Sequence, residues 1–160
     1  MGDRSREGSG VRLPAPKNTD LMIIFTPPFP PHEMSCIRYA AAEYRVPQLL
    51  LMAIRKVEGG KSGFSSRNKN GTNDYGVMQI NTVWMNHFKK IGVSNPEHFL
   101  THDTCYNIRA GAWILKTELS QEGDFWKKVG NYHSRTNRHN SAYQWRVYRA
   151  MLNLSKTGWR

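Results

Sequence analysis

The run Leu49-Leu50-Leu51-Met52-Ala53-Ile54-Arg55-Lys56-Val57-Glu58-Gly59-Gly60, followed shortly by Asn73-Asp74-Tyr75-Gly76-Val77-Met78-Gln79-Ile80-Asn81, decides the reading of this chain. Leu50, Leu51, Ile54 and Val57 recur at helical spacing and make one apolar face. Gly59 and Gly60 end that helix. Glu58 is then its last residue, a carboxyl on a rigid element beside apolar side chains. Burial disfavours the charged form, so such a group keeps its proton towards neutral pH and can pass it to a leaving-group oxygen. The later stretch supplies a turn, a glycine that permits close approach, and amides suited to acetamido and hydroxyl groups. Taken singly, a helix-terminal Glu is more often an exposed carboxylate, and alternating polar residues simply face solvent. The two segments together favour a site.

Outward from this pair, Ser35 reads as the N-cap of a first helix running to about Arg45, and Pro47 fits the first turn of the second. Phe64 to Ile80 is polar, with the hairpin signal Asn70-Gly71 in its middle, and reads as a small irregular β-ribbon. Thr82 to Ile91 and Pro96 to Leu100 read as short helices. Asp103 or Thr104 caps a long helix ending near Gln121, with Ile108, Ala112 and Leu115 inward. Asp124 caps another through Val129. Ser141 to Leu154 is the last, with Tyr143, Val147, Tyr148, Met151 and Leu152 assigned to the core. Trp84, Trp113 and Trp145 also fall in helical segments and are assigned there, whereas Trp126 is left open. The fold class is mainly α with a small β-ribbon.

The chain has 160 residues, enough for one domain with a real core. Residues 1–31 read as a tail, Gly/Ser/Arg-rich at first and ending in Pro27-Pro28-Phe29-Pro30-Pro31, which favours an extended spacer. Residues 32–160 form the domain. Lys and Arg number 23 against 12 Asp and Glu, a formal charge of +11. The partner is therefore expected to be anionic: nucleic acid, acidic lipid, or peptidoglycan with its stem carboxylates. No zinc-finger, RRM or basic-zipper pattern supports nucleic acid. No apolar run approaches the ~18–20 residues of a membrane span. Leu21-Met22-Ile23-Ile24-Phe25 is too short for a signal-peptide core, and residues 1–20 read as a leader or its remnant. His98 and His102 have i,i+4 spacing but no accompanying HExxH glutamate, so no metal site is assigned. The two cysteines, Cys36 and Cys105, form no CxxC pair. By themselves they read equally as a disulfide or as two buried thiols.

Four pieces stand in one order: Ile54-Arg55-Lys56-Val57-Glu58-Gly59-Gly60, Gly76-Val77-Met78-Gln79-Ile80-Asn81, Cys105-Tyr106-Asn107-Ile108-Arg109-Ala110-Gly111-Ala112, and Gly130-Asn131-Tyr132-His133. Together they resemble the catalytic domain of lytic transglycosylases in the lysozyme-like superfamily. The likeness is closest to the small members that accompany secretion, conjugation and pilus machines, and it spans roughly residues 33 to 150. The resemblance implies a lysozyme-like fold with a glycan cleft between helices and ribbon, and a Cys36–Cys105 disulfide, hence an exported, periplasmic protein. It makes Glu58 the catalytic acid and base. Gln79, Asn81, Met78, Gly76 and Tyr132 become substrate-binding positions, although Met78 and Ile80 read more readily as core than as ligand contacts. Tyr132 matches a tyrosine whose hydroxyl sits close to the acid. Two departures stand out: Gly59 replaces the usual Ser after Glu58, and the Ala-Tyr-Asn motif is Asn131-Tyr132-His133 here.

The family's reaction cuts the bond between N-acetylmuramic acid and N-acetylglucosamine in peptidoglycan strands and closes a 1,6-anhydro ring without water or cofactor. Asp74 keeps a close rival open. Asp74-Tyr75-Gly76 with Gln79-Ile80-Asn81 is similar to the segment of chicken-type lysozymes that bears their second catalytic carboxylate, which would make the protein a hydrolase. A structural role for Asp74, bracing the ribbon turn, is an equal alternative. A weakly active wall-binding assembly factor is the rival of another class. Partners implied are glycan strands and components of a secretion, conjugation or pilus apparatus.

Overall fold

The computed structural model describes residues 26–159. The expectations for Met1 to Phe25, including the leader and the Leu21–Phe25 run, lie outside them. Among the described residues seven helices surround one three-stranded ribbon: α1 (Pro31–Tyr44), α2 (Gln48–Glu58), β1 (Ser65–Arg67), β2 (Asn73–Tyr75), β3 (Ile80–Asn81), a 3-10 turn (Thr82–Trp84), α3 (Met85–Lys90), α4 (Pro96–His102), α5 (Thr104–Leu119), α6 (Phe125–Asn131) and α7 (Asn137–Lys156). None of these helices is long and apolar enough to cross a membrane.

The helix α2 is the axis of the core. Leu50, Leu51, Met52, Ala53 and Ile54 are all fully buried, so this segment is enclosed on every side rather than on one face. It packs against α7, α1 and α5. Gly59 ends it in the left-handed conformation, φ 63°, and returns its N–H to Arg55 O at 3.2 Å. Arg55 and Glu33 pair where both side chains are nearly buried, joining α2 to α1. Cys36 and Cys105 are disulfide-bonded with Cα atoms 5.0 Å apart, which ties α1 to α5 as the family resemblance implies.

The helix α1 starts earlier than a Ser35 cap requires. Pro30 stands at its N-cap and Pro31 in its first turn, where a missing N–H costs nothing. Ser35 is interior, its hydroxyl turned back on Pro31 O at 3.1 Å. Asp103 and Asp124 do cap α5 and α6, accepting from Tyr106 N and Lys127 N, each at 2.9 Å. The helix α7 begins at Asn137 rather than Ser141. Its first turn, Asn137-Arg138-His139-Asn140, is wholly polar and carries no apolar periodicity to announce it. Tyr143 and Val147 are core as expected, but Trp145, Tyr148 and Leu152 are corrections: they are 63%, 40% and 41% exposed. They occupy the outward side of α7, and an apolar residue on a helix is no guarantee of burial.

The ribbon is antiparallel in the order β1-β2-β3, with Ser66 opposite Asp74 and Asp74 opposite Asn81. Its first turn spans Asn68–Thr72, longer than a two-residue hairpin, with Gly71 at φ 83°. What fixes the ribbon to the helices is Asn107 of α5, which is fully buried. Its Oδ1 accepts from Met78 N at 2.7 Å, and its Nδ2 donates to Tyr75 O and Leu100 O, both at 2.8 Å. Gly76 fits beneath this amide because it has no side chain: a Cβ there would lie 2.4 Å from Asn107 Nδ2 and 2.3 Å from Leu100 O.

Asn107→Ala strands one buried N–H and two buried carbonyls. Each costs about 1–3 kcal/mol, so the expected loss is roughly 3 kcal/mol or more in urea unfolding. A loss below about 1 kcal/mol contradicts the assignment of Asn107 as the anchor of the ribbon.

Candidate active site in the cleft

A cavity of about 600 Å³ opens between the ribbon and the helices. One wall is the ribbon, with Asn68, Asn70, Thr72, Asp74, Gln79 and Asn81. The other is the α6–α7 segment, with Asn131, Tyr132, His133, Ser134 and Arg135, and Arg146 from α7. Glu58 and Val57 close it from the end of α2, while Ile80, Val83, Trp84, Ile114 and Glu118 complete the lining.

Glu58 is largely buried, and its carboxyl is raised from 4.5 to about 7. Burial is the main cause. A hydrogen bond from the Tyr143 hydroxyl to Glu58 Oε1, 2.5 Å, pulls the other way, as does the Arg146 guanidinium. The Asp74 carboxylate adds a smaller upward push. Burial and the nearby Glu58 charge keep the Tyr143 and Tyr132 phenols protonated well above the ordinary range, so both are fixed as donors. Two rings lie nearly parallel to Tyr143: His133 stacks on it at 4.8 Å and 5°, and Tyr132 lies at 6.4 Å and 13°. Burial and the Arg146 charge lower His133, which favours the neutral ring.

Tyr132 stands in the cleft, but its hydroxyl donates to Met78 O at 3.2 Å. The hydroxyl that reaches Glu58 belongs to Tyr143, which the sequence reading assigned only to the core. No local pattern marks it, because the two partners are 85 residues apart. Arg146 was likewise missed; its guanidinium lies over the Tyr143 ring at 5.3 Å.

Asp74 faces the cavity with both oxygens engaged. Oδ2 accepts from Asn68 Nδ2 at 2.9 Å and Oδ1 from Asn81 Nδ2 at 2.8 Å. Asn81 also donates to Thr72 Oγ1 and caps the 3-10 turn by accepting from Val83 N. Gln79 lines the cavity at φ 52°, a left-handed backbone unusual for a residue with a side chain. Its amide holds it there, donating to Gly76 O at 2.9 Å and accepting from Ser66 Oγ at 3.0 Å. Gly60 must stay bare for this turn to close on α2, since a Cβ would meet Gly76 O at 2.0 Å. Gly76 and Met78 do not line the cavity. Gly76 is packed under Asn107, and the Met78 side chain is fully buried, so Met78 reaches the site only through the carbonyl that receives Tyr132. Ile80 is buried but borders the cavity.

His32 Nε2 lies 3.8 Å from both Cys36 Sγ and Cys105 Sγ, the nearest thing to a metal cluster among the described residues. The sulfurs are bonded to each other and offer no thiolates. His98 and His102 approach on α4, rings 4.9 Å apart, with no third ligand grouped with them among the described residues.

Comparison with known proteins decides the family. Residues 35–149 match the transglycosylase SLT domain. The chain belongs to this SLT transglycosylase family. It is a lysozyme-like lytic transglycosylase by that membership. It is also similar to the invasion protein IagB of Salmonella typhimurium, 31% identical over 128 residues, covering 75% of this chain and 79% of the relative. Protein IpgF of Shigella flexneri is 31% identical over 135 residues, 79% of this chain and 87% of the relative. A peptidoglycan-binding-like protein of Escherichia coli O157:H7 is 32% identical over 106 residues, 62% and 64% of the two chains.

The raised carboxyl makes the transglycosylase's stability depend on pH. The folded protein binds the Glu58 proton more tightly than the unfolded chain does. The resulting stabilisation is full below about 4.5 and is lost as pH rises through about 7. Glu58→Gln escapes this loss. Its stability relative to wild type is expected to rise between pH 5 and pH 8 by up to about 3 kcal/mol. A difference that stays flat across this range in denaturant unfolding contradicts the raised carboxyl.

Proposed function

We propose that this protein cuts the β-1,4 bond between N-acetylmuramic acid and N-acetylglucosamine in peptidoglycan and leaves a 1,6-anhydro-muramic end. The observation that carries this reading is the asymmetry of the two cleft carboxyls. Glu58 titrates at about 7 and has one hydroxyl partner, whereas Asp74 has both oxygens held by asparagine amides. One group suited to proton transfer fits a reaction in which the substrate supplies everything else. Glu58 protonates the glycosidic oxygen, and the C1–O bond breaks as the sugar's own acetamido group supports the anomeric carbon. Glu58, now a base, takes the proton from the muramic C6 hydroxyl, whose oxygen closes on C1. Protons balance, and no water enters. Tyr143 holds Glu58 in one orientation, and neutral His133 braces Tyr143.

The protein acts in the periplasm on this reading, since its substrate lies there and its cysteines are paired. The Invasion protein name of one relative and the chain's likeness to small specialised enzymes fit local opening of the wall for a trans-envelope secretion, conjugation or pilus machine. Its partners are then glycan strands and components of that machine.

Mass spectrometry of digested peptidoglycan tests the chemistry. Anhydro ends are expected, and Glu58→Gln is expected to lower their yield by roughly 10²–10⁴-fold while the protein remains folded. Retention of more than about a tenth of the activity removes Glu58 from the role of acid and base.

A second reading is favoured by the position of Asp74 in the same cavity: a lysozyme-type muramidase in which Asp74 supports the anomeric carbon and water attacks. The peptidoglycan-binding-like name of another relative fits a binder that barely turns over. Asp74→Asn separates the readings. On the proposed mechanism the variant still yields anhydro ends, more slowly, because the Asn68–Asn81 bridge is weakened. A wild-type digest dominated by reducing ends, lost in Asp74→Asn, selects the hydrolase. No fragments from either protein select the binder.

A further inference from the structure

We propose that the outer side of α7, with Trp126 of α6, is a second glycan-binding surface that holds the strand beyond the part lying in the cleft. The proposal rests on the substrate named above and extends it to residues outside the cleft.

Five observations converge on this surface. Trp145 and Tyr148 are exposed at 63% and 40%, although their helix is long and well packed elsewhere. They stand in a ladder with Trp126. Trp126 meets Tyr148 at 5.5 Å and 88°, and Trp145 meets Tyr148 at 6.0 Å and 83°. These near-perpendicular rings enclose, with Gln144, a depression of about 290 Å³. A second shallow hollow beside it is bordered by Trp145, Arg146, Tyr148 and Arg149. Arg146 also lines the catalytic cleft, so the aromatic surface begins where the cleft ends.

The chemistry selects the occupant. A β-linked sugar ring presents rows of C–H groups that carry partial positive charge, and an aromatic face is negative. One exposed ring can support a sugar face while its perpendicular neighbour closes the side. Gln144 borders the depression; its amide N–H donates to Asn140 Oδ1, which leaves its carbonyl oxygen to accept from a sugar hydroxyl or acetamido N–H. The two adjoining hollows, about 290 and 570 Å³, give room for successive sugar rings of one strand. Arg146 and Arg149 sit three residues apart on the adjoining stripe of α7. They supply exposed cations for the carboxylates borne by muramic residues and their peptide stems. Continuity with the cleft and this charge complementarity point to the same polymer. The patch accordingly serves affinity for long strands and does no chemistry.

Co-sedimentation with purified sacculi tests the surface without turnover. Glu58→Gln protein is compared with Glu58→Gln/Trp145→Ala. The second substitution is expected to weaken binding roughly five- to tenfold. Arg149→Gln in the same background is expected to weaken binding at low salt and to flatten its salt dependence. In the active protein, Trp145→Ala is expected to raise KM on sacculi by a similar factor. Turnover of a soluble muropeptide too short to leave the cleft should be unchanged.

Unaltered sacculus binding in both variants overturns the proposal. So does an equal loss on long and short substrates, which would place Trp145 in the support of the cleft. Loss of single-stranded oligonucleotide binding or of self-association, with sacculus binding intact, overturns it as well and assigns the surface to that occupant. If wild type yields no cleavage products yet Trp145→Ala still weakens sacculus binding, the catalytic reading has failed and this one stands.

Discussion

The site depends on buried asparagine amides that bond the backbone of its walls. Asn107 places α5, the last turn of α4 and the end of the ribbon in fixed relation, by committing both amide protons and its carbonyl oxygen to three backbone groups. An apolar residue there would leave those groups dry and unpaired, and a charged one could not both donate and accept. The far end of the cleft repeats the device. Buried Asn140 of α7 donates to Lys127 O, Asn131 Oδ1 and Ser134 O, gathering the α6–α7 loop that carries Tyr132 and His133. Gly130 lies flat against that amide, as Gly76 lies against Asn107. Apolar packing around α2 supplies cohesion, and these two polar joints set where the cleft walls stand.

The walls they position differ in kind. The ribbon offers neutral amides already ordered among themselves around Asp74. The α6–α7 side offers aromatic rings and guanidinium groups. Glu58 emerges between them at the end of the deeply buried helix α2, partly exposed where it lines the cavity. The hydroxyl of Tyr143 limits its orientation. Arg135 is anchored at 2.7 Å to the buried Glu118 carboxylate, which holds a cation on the helical side of the cavity. Ligand groups bearing carboxylates therefore meet opposite charge on one wall and hydrogen-bonding amides on the other.

Much of this was legible in the chain. The Asp103 and Asp124 caps, the apolar run of α2 and the Gly pair ending it fix local geometry through neighbouring residues, and the fold followed them. The transglycosylase family and the cysteine pairing were readable from four motifs in order, and both agree with the comparisons and the structure. What could not be read depends on long-range contact. The partner of Glu58 is one tyrosine among seven, supplied by a helix far along the chain. The exposure of Trp145, Tyr148 and Leu152 follows from which side of α7 meets α2, and periodicity does not name that side. The polar first turn of α7 hid because Asn140 is buried for its hydrogen bonds, not for hydrophobicity. Met78 and Gly76 sit in a motif beside the cleft but face the joint with α5, since a tight turn sends alternate residues in unrelated directions.

A carboxyl that titrates at about 7 has a consequence for the composition of the sample itself. Near neutral pH both protonation states of this group are populated. A cycle that uses the group first as donor and then as acceptor draws on both species in turn, and neither is rare. The same balance makes the mixture steep in acidity: one pH unit to either side of the group's pKa leaves about one molecule in ten in the scarcer form. The acidity of the surroundings thus adjusts the proportion of ready molecules directly, with no segment of the chain having to move.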